Sequence, residues 1–519
     1  MINLWSRAGA LLAIALCVSS FALAPASAQE ALRIGLQEQD IAALDPHMST
    51  KTGDKHAFSL IFSGLVRFKP GNMNPAQLEP DLATDWKASS DGKIWTFNLR
   101  KGVKFHHGYG EFTADDVVYS LARAADPKRS TVSSDYAAFD KVEAINKYTV
   151  RITLKTPVPS LLALVANYHG GNIVSKKAAE ELGDGFKQKP VGTGPFMFQE
   201  LKPKQSLTLL ANKDYFRGAP KLAKVEFKFV PSLSSRELAF QNNELDMFTG
   251  NREESWVTRM SERKDTTVDV FEPGEMRTLH LNTTIKPLDD LRVRKAIAHA
   301  LNRDDFIALA GKSVARVNWS VVPNGYLGQT DDVPKFAYDV NKAKALLKEA
   351  GYENGFKLSV IITKLDPLLK PMQVIQEQLR KIGVTLDLSV VEHSAFHAQI
   401  RQNLSALVLY GAARFPIADV YLTQFYHSKS IVGTPTAVAN FSHCGMADAE
   451  IDAAREETNG AKQLELWATA QRKLAENVCG IPLFEQLQVF ARHKSVDYGY
   501  KLTGALSLGP QITELTTNR

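Results

Sequence analysis

Three features that mark large classes of proteins are missing from this sequence of 519 residues. Its 62 basic and 56 acidic residues are interspersed, and no run of like charge suggests a surface for nucleic acid or lipid. Beyond the N-terminus, no apolar segment approaches the ~20 residues that a membrane-spanning helix needs. No internal repeat or low-complexity tract occurs. These absences favour a soluble globular protein without a nucleic-acid partner.

Catalytic signatures are also missing. The glycine motif VGTGPF (191–196) lacks the Lys-Ser/Thr of a phosphate-binding loop, and a turn explains it better. No G-x-S-x-G segment and no protease-like Cys–His pairing occurs. His393 and His397 have helical spacing, but no glutamate follows His393 as in a zinc protease, and no third ligand is nearby. We therefore predict no catalytic residue, no metal and no cofactor, with a metal-dependent hydrolase as a remote alternative.

The N-terminus has the pattern of a secretory signal peptide. Arg7 supplies a positive charge, ALLAIALCV forms a short apolar core, and a small-residue cleavage site ends at Ala28. That core is too short to span a membrane as an anchor. We predict that residues 1–28 are a cleaved leader and that the protein is periplasmic. Loss of Arg7 would lower the formal net charge from +6 to +5.

Cysteine is scarce, with three in the whole chain. Cys17 lies in the predicted leader, so Cys444 and Cys479 would remain after processing. In an oxidising compartment these two residues are candidates for a single disulfide. Two buried free thiols are the alternative.

The remaining sequence alternates strand-like and helix-like segments, which is typical of an α/β protein. For example, 339–351 begins with an Asp339 cap and ends at Gly351. About 490 residues exceed one hydrophobic core, so two or three domains are expected. Two strand-like segments, 276–283 and 482–493, could carry the chain from one lobe to the other and back. Two such crossings would permit hinge closure around a ligand.

Several segments together resemble the family 5 extracellular solute-binding proteins of ATP-binding-cassette (ABC) importers. The most specific is LEPDLATDWKASSDGKIWTFNLRKGVKFHHG with the following FTADDVVYSLAR. The others are KPVGTGPF, LNTTIKPLDDLRVRKAIAHALNRDDFI, DVNKAKALLKEAGY, QEQLRKIGVTLDL and IPLFE. They lie in the family's order and cover most of residues 30–495.

The resemblance implies an α/β, two-lobe periplasmic-binding-protein (Venus-flytrap) fold with a hinge between the lobes. Lobe I would comprise residues 29–274, completed by 486–519, and lobe II residues 275–485. A small or peptide-like ligand would be enclosed between the lobes of a monomer and delivered to a membrane permease. Presentation of the ligand to a chemosensor, or binding of a metal chelate, is the alternative.

The segment VLYGAARFPIADVY (408–421) carries the main departure from the peptide-binding relatives. Those relatives usually have a Trp here, then an Asp that holds the ligand's α-ammonium. A gapless placement puts Gly411 at the Trp and Arg414 at the Asp. A guanidinium suits a carboxylate, phosphate or sulfonate and repels an amine. Alternatively, Arg414 could pair internally with an acid such as Asp419.

Five further residues are candidate ligand contacts. Loss of the Trp is expected to leave room beside the aromatic surfaces of Tyr410 and Phe415, although both could simply pack at the base of the loop. Lys364 follows a strand near the position where relatives place a basic residue, and a solvated lysine is the alternative. His47 and Thr50 lie in a loop that borders the ligand in relatives, although the Asp-Pro turn alone could explain that loop. The ligand's identity stays open among short or modified peptides, opine-like conjugates and metal chelates.

Overall fold

The computed structural model describes residues 31–41, 43–49, 54–433 and 439–519. The predicted signal peptide and Thr50 lie outside these ranges. Within them, no helix combines the length and apolar character needed to cross a membrane.

The strands alternate with helices along most of the chain. The strands are β1 (Ala31–Leu36), β2 (Val66–Phe68), β3 (Leu78–Pro80), β4 (Ala83–Ala88), β5 (Ile94–Leu99), β6 (Phe139–Asn146), β7 (Thr149–Leu154), β8 (Phe196–Lys202), β9 (Ser206–Ala211), β10 (Lys224–Phe229), β11 (Met247–Thr249), β12 (Thr266–Leu281), β13 (Ala315–Val317), β14 (Phe356–Thr363), β15 (Val384–Val391), β16 (Leu407–Ala412), β17 (Gly480–His493), β18 (Val496–Asp497) and β19 (Thr517–Asn518). The helices are α1 (Asp54–Ile61), α2 (Ala114–Ala125), α3 (Leu161–Leu164), α4 (Lys176–Leu182), α5 (Leu233–Gln241), α6 (Glu254–Ser261), α7 (Leu291–Ala300), α8 (Arg303–Ala310), α9 (Val340–Glu349), α10 (Asp366–Arg380), α11 (His393–Arg401), α12 (Ala418–Tyr426), α13 (Asp448–Glu456) and α14 (Gly460–Glu476).

Local sequence signals explain several of these boundaries. The Asp339 side chain accepts a hydrogen bond from the Lys342 amide at 2.9 Å and caps α9, as predicted. Helix α9 ends just before Gly351, which has the positive φ of a helix stop. The VGTGPF motif is a close-packed turn, because a Cβ at Gly192 or Gly194 would overlap backbone atoms at the end of α1. That packing, not phosphate binding, accounts for its glycines.

The largest sheet links the two parts of the molecule. Its strand order is β16-β12-β17-β11-β1-β10-β9-β8, with β13 also paired to β17. The last part of β12 pairs with β16, and the last part of β17 pairs with β11. The two long strands therefore carry the chain between lobes in the two-lobe fold. The register between these two strands is irregular between Phe271 and Glu275. This irregularity lies close to the predicted lobe boundary at 274/275. We propose this boundary and the one at 485/486 as the limits of the two lobes.

The two cysteines predicted to remain after processing form a disulfide in the structure. Their Cα atoms lie 5.8 Å apart, and both residues are buried. Cys479 immediately precedes β17, and the chain between the two residues contains α13 and α14. The bond therefore closes a loop within the segment assigned to lobe II.

Candidate functional site

A cavity of about 410 Å³ lies between the N-terminal part of the chain and the segment 401–455. Its walls come from residues 49–169 on one side and from the loop after β16, α12 and α13 on the other. This volume lies within the range of small-molecule sites. The position agrees with the expected ligand site between two lobes.

Arg414 lines this cavity and is held by neutral groups. Its Nε donates to Gln424 Oε1 at 2.7 Å and its Nη1 to the Ala413 carbonyl at 3.1 Å. The Tyr410 hydroxyl also hydrogen-bonds to the guanidinium, which lies 5.3 Å from the centre of the Phe425 ring. Within the described part of the chain, no carboxylate lies within ion-pair distance of Arg414. The side chain is thus oriented, and its charge is not neutralised by an ion pair.

The internal partner considered for Arg414 is engaged elsewhere. Asp419 is buried, and its Oδ1 accepts from Arg455 Nε at 2.8 Å. Both residues of this pair line the cavity. The sequence left open a pairing of Arg414 with Asp419. In the structure, Asp419 pairs with Arg455 instead.

Two further charged residues face the cavity from the N-terminal side. Lys55 donates to the Tyr168 hydroxyl at 2.7 Å. Burial, together with the nearby positive charge of Arg414, holds the pKa of Lys55 well below its usual range. Asp135 lies in a short 3-10 turn (Ser133–Tyr136), and enclosure by protein raises its pKa to about 6 although Arg414 and Arg455 oppose the shift.

Gly411 does not leave room for a ligand, so this expectation was wrong. It is paired with Arg277 across β12 and β16, and a Cβ at position 411 would overlap Arg277 Nη1 and lie 2.7 Å from its Cζ. Arg277 is buried and forms an ion pair with Glu275 at 3.2 Å. Glu275 also pairs with Arg252 at 2.5 Å. The space that the missing Trp might vacate is thus occupied by a buried guanidinium.

We expect Gly411→Ala to destabilise the protein by about 1–3 kcal/mol, because the new methyl group displaces a guanidinium in a packed interior. Urea unfolding of the ligand-free protein would measure this effect. Gly460→Ala is the matched control, since Gly460 begins α14 and has open space around its Cα. Equal stability of the two variants would contradict the role assigned to Gly411.

The other candidate contacts divide into two groups. Phe415 lines the cavity and packs against Phe68, with ring centres 5.3 Å apart. Tyr410 does not line it; its ring packs against Phe441 at 5.2 Å, and its hydroxyl orients Arg414. Lys364 also lies outside the cavity lining, where it is exposed and paired with Glu392. The expected contact of Lys364 with a ligand therefore draws no support from this cavity and stays a prediction.

His47 is also a correction, because it is fully buried away from the cavity. Its Nε2 lies 3.1 Å from the Asn172 carbonyl, and its Nδ1 lies 2.9 Å from Arg123 Nη1. Burial, followed by the charge of Arg123, lowers the pKa of His47 to about 4. The neutral ring can therefore donate to the carbonyl and accept from Arg123. Arg123 also pairs with Asp45, so the Asp-Pro loop is held by internal contacts.

The rings of the histidine pair on α11 pack edge to face at 73°, with their Nε2 atoms 3.2 Å apart. Among the residues that the structure describes, no group of three or more His, Cys, Asp or Glu side chains could hold a metal ion.

Sequence reasoning missed the cavity residues Lys55, Asp135, Arg401 and Arg455. Lys55 lies just beyond the predicted 47–50 loop, so this part of the chain does border the cavity, through a side chain that the sequence did not indicate. Asp135 stands in SSDYAAFD, which has no recognisable motif. Only the fold brings this carboxylate opposite Arg414.

Comparisons with known proteins bear on the family and the fold of the chain. The family model described as "Bacterial extracellular solute-binding proteins, family 5 Middle" matches residues 77–432. A curated relative, Di/tripeptide-binding protein 2 of Pseudomonas aeruginosa (strain UCBPP-PA14), is 30% identical over 475 residues, covering 85% of this chain and 87% of the relative.

Two solved structures have the same overall fold. MoaA of A. tumefaciens R10, in complex with mannopinic acid, is 48% identical with a TM-score of 0.86; the match covers 94% of this chain and 99% of MoaA. DppA of Helicobacter pylori, in complex with the peptide STSA, is 28% identical with a TM-score of 0.80, covering 94% and 98% of the two chains.

Proposed function

We propose a specific ligand class from the premise that the chain belongs to the bacterial extracellular solute-binding proteins of family 5 and is a substrate-binding protein of an ABC importer. The solute captured between its two lobes is a small acid whose anionic group binds Arg414. The observation that carries this proposal is a cavity-lining guanidinium whose hydrogen-bond partners among the described residues are all neutral.

The charges around the cavity favour an acid over an ordinary peptide. Arg455 and Asp419 neutralise each other, whereas Arg414 has no acidic partner among the described side chains. A peptide α-ammonium brought to Arg414 would meet a like charge inside the cavity, which is unfavourable. A carboxylate could instead accept two parallel hydrogen bonds from the guanidinium fork.

The relative with the higher identity supports the same ligand class. MoaA was solved with mannopinic acid, a carboxylic acid, and shares 48% of its aligned residues with this chain. The DppA complex contains a peptide at 28% identity. We therefore propose mannopinic acid or a closely similar conjugate as the first ligand to test, ahead of short peptides.

Delivery to a membrane permease in the periplasm, by a monomer without catalytic activity, completes the proposal. Periplasmic location and partnership with ABC permeases are typical of the family. A receptor that presents the same ligand to a chemosensor would use the same cavity. Loss of solute uptake, with unchanged chemotaxis, after deletion of the gene would favour import.

Isothermal titration of the purified mature chain tests the ligand class. We expect mannopinic acid to bind with micromolar affinity or better, and di- and tripeptides to bind at least 100-fold more weakly. Mass spectrometry of solutes released by mild denaturation, after purification from the native host, is an independent measurement. A released peptide without an additional acidic group would contradict the proposal.

A further inference from the structure

Asp135 lies on the opposite side of the cavity from Arg414. Asp135 belongs to the 3-10 turn Ser133–Tyr136 of the N-terminal part, and Arg414 to the loop that follows β16. Both line the same cavity. The Asp135 side chain is exposed to the cavity and, within the described ranges, has no ion pair within 4 Å and accepts no hydrogen bond. Among the described residues, the cavity therefore presents a carboxylate without an ion-pair partner on one side and a guanidinium without one on the other.

We propose that the solute also carries a positively charged amine, which binds the Asp135 carboxylate while its acidic group binds Arg414. This inference rests on the proposed function and narrows its ligand class from small acids to zwitterionic acids, such as N-substituted amino acids. A zwitterion would contact both sides of the cavity with charges of opposite sign. A purely anionic solute of the same size would bring its negative charge towards Asp135, which is unfavourable.

The groups that act on Asp135 come from four elements. Lys55 is on α1, Arg414 is in the loop after β16, Asp419 is on α12, and Arg455 is on α13. Arg455 is already paired with Asp419, and Lys55 donates to Tyr168. None of these residues forms an ion pair with Asp135, so the carboxylate is available to a ligand amine.

Matched probes and one conservative substitution test this inference. The probes are mannopinic acid, which carries a secondary amine, and its ether analogue, in which oxygen replaces the amine nitrogen and both carboxylates are retained. We expect the wild-type mature chain to bind the amine at least 10-fold more tightly than the ether in titration calorimetry at pH 7.5. Asp135→Asn should reduce this preference to less than threefold. Asp184→Asn, at an exposed position outside the cavity lining, is the control and should preserve it.

The pH dependence of affinity gives a second readout. Since the pKa of Asp135 is raised to about 6, lowering the pH from 7.5 to 5 neutralises its carboxylate and removes the partner of the amine. Affinity for the amine probe should fall about 10-fold in the wild type and about twofold or less in Asp135→Asn. His169 also lines the cavity, and burial together with nearby cations holds its pKa well below its usual range. Its contribution is common to the wild type and Asp135→Asn, so the comparison of the two isolates Asp135.

The outcomes separate this inference from the proposed function. Equal binding of the two probes by the wild type, or an unchanged preference in Asp135→Asn, would overturn the zwitterion and leave the acid at Arg414 intact. If neither probe binds, the solute released from the native protein decides: an acid without a basic nitrogen overturns this inference alone, and one with both groups supports it. A solute with no acidic group overturns the proposed function as well.

Discussion

Replacing Arg414 with alanine is expected to weaken binding of mannopinic acid by about 2–5 kcal/mol, because a charge-assisted contact is lost and the ligand anion is left without a partner. At 1.4 kcal/mol per tenfold change, this is a loss of at least ~30-fold in affinity. Titration calorimetry of the mature chain would measure it. The melting temperature without ligand should change little, since the contacts of the guanidinium with Gln424 and Ala413 are replaced by water in an open cavity.

Two further substitutions sharpen this measurement. Arg401→Ala removes an exposed guanidinium that also lines the cavity, and it should cost less than about 1 kcal/mol of binding. Arg414→Asp places a carboxylate where the peptide-binding relatives have one, and it should lose the acid while gaining affinity for peptides. Equal binding of mannopinic acid by the wild type and Arg414→Ala would refute the assignment. A large drop in the melting temperature of ligand-free Arg414→Ala would indicate a structural role instead.

The fold was largely predictable because its signals are local and repeated. The cap at Asp339, the stop at Gly351 and the alternation of strands and helices all appear in short stretches of sequence. The two-lobe arrangement came from long segments in the order of one family. Helix caps and strand patterns depend only on neighbouring residues, and the family resemblance depends only on the order of its segments along the chain.

The sequence could indicate Arg414 as a candidate site residue, because an uncompensated charge next to an apolar strand requires a partner. It could not indicate Asp135, since an aspartate in a polar turn is ordinary and gains its significance only from what the fold places opposite it. The cavity brings together residues that are 279 positions apart in the sequence, 135 and 414. No local sequence pattern indicates that these two residues come together in the fold.

The incorrect expectations share one physical cause, which is internal contacts that the sequence does not reveal. His47 was considered for the cavity but is taken up by Arg123 and Asn172. Gly411 was expected to open space, yet Arg277 fills it. In each case a residue that is distant in the sequence already binds the side chain or fills the space, and the local sequence does not indicate it.

Removing the bond between Cys444 and Cys479 is expected to lower the free energy of unfolding by about 3–4 kcal/mol. The two residues are 35 positions apart, and the chain-entropy model gives this value for a closed loop of that length. Urea unfolding with and without reductant would measure the difference in the wild-type protein, where side-chain volumes do not change. The double variant Cys444→Ala/Cys479→Ala should lose at least as much stability, since it also removes two buried sulfur atoms.

Ligand affinity should respond far less than stability to loss of this bond. Neither cysteine lines the cavity, whereas Arg414 and Phe415 do, so the affinity of the reduced protein for mannopinic acid should stay within about twofold below the unfolding transition. Thiol titration in denaturant supplies the control, with no free thiol expected before reduction and two per mature chain after it. Two reactive thiols in the unreduced protein would contradict the prediction. A large loss of affinity on reduction would instead mean that the loop closed by the bond, which contains α13 with the cavity residue Arg455, depends on it for its position.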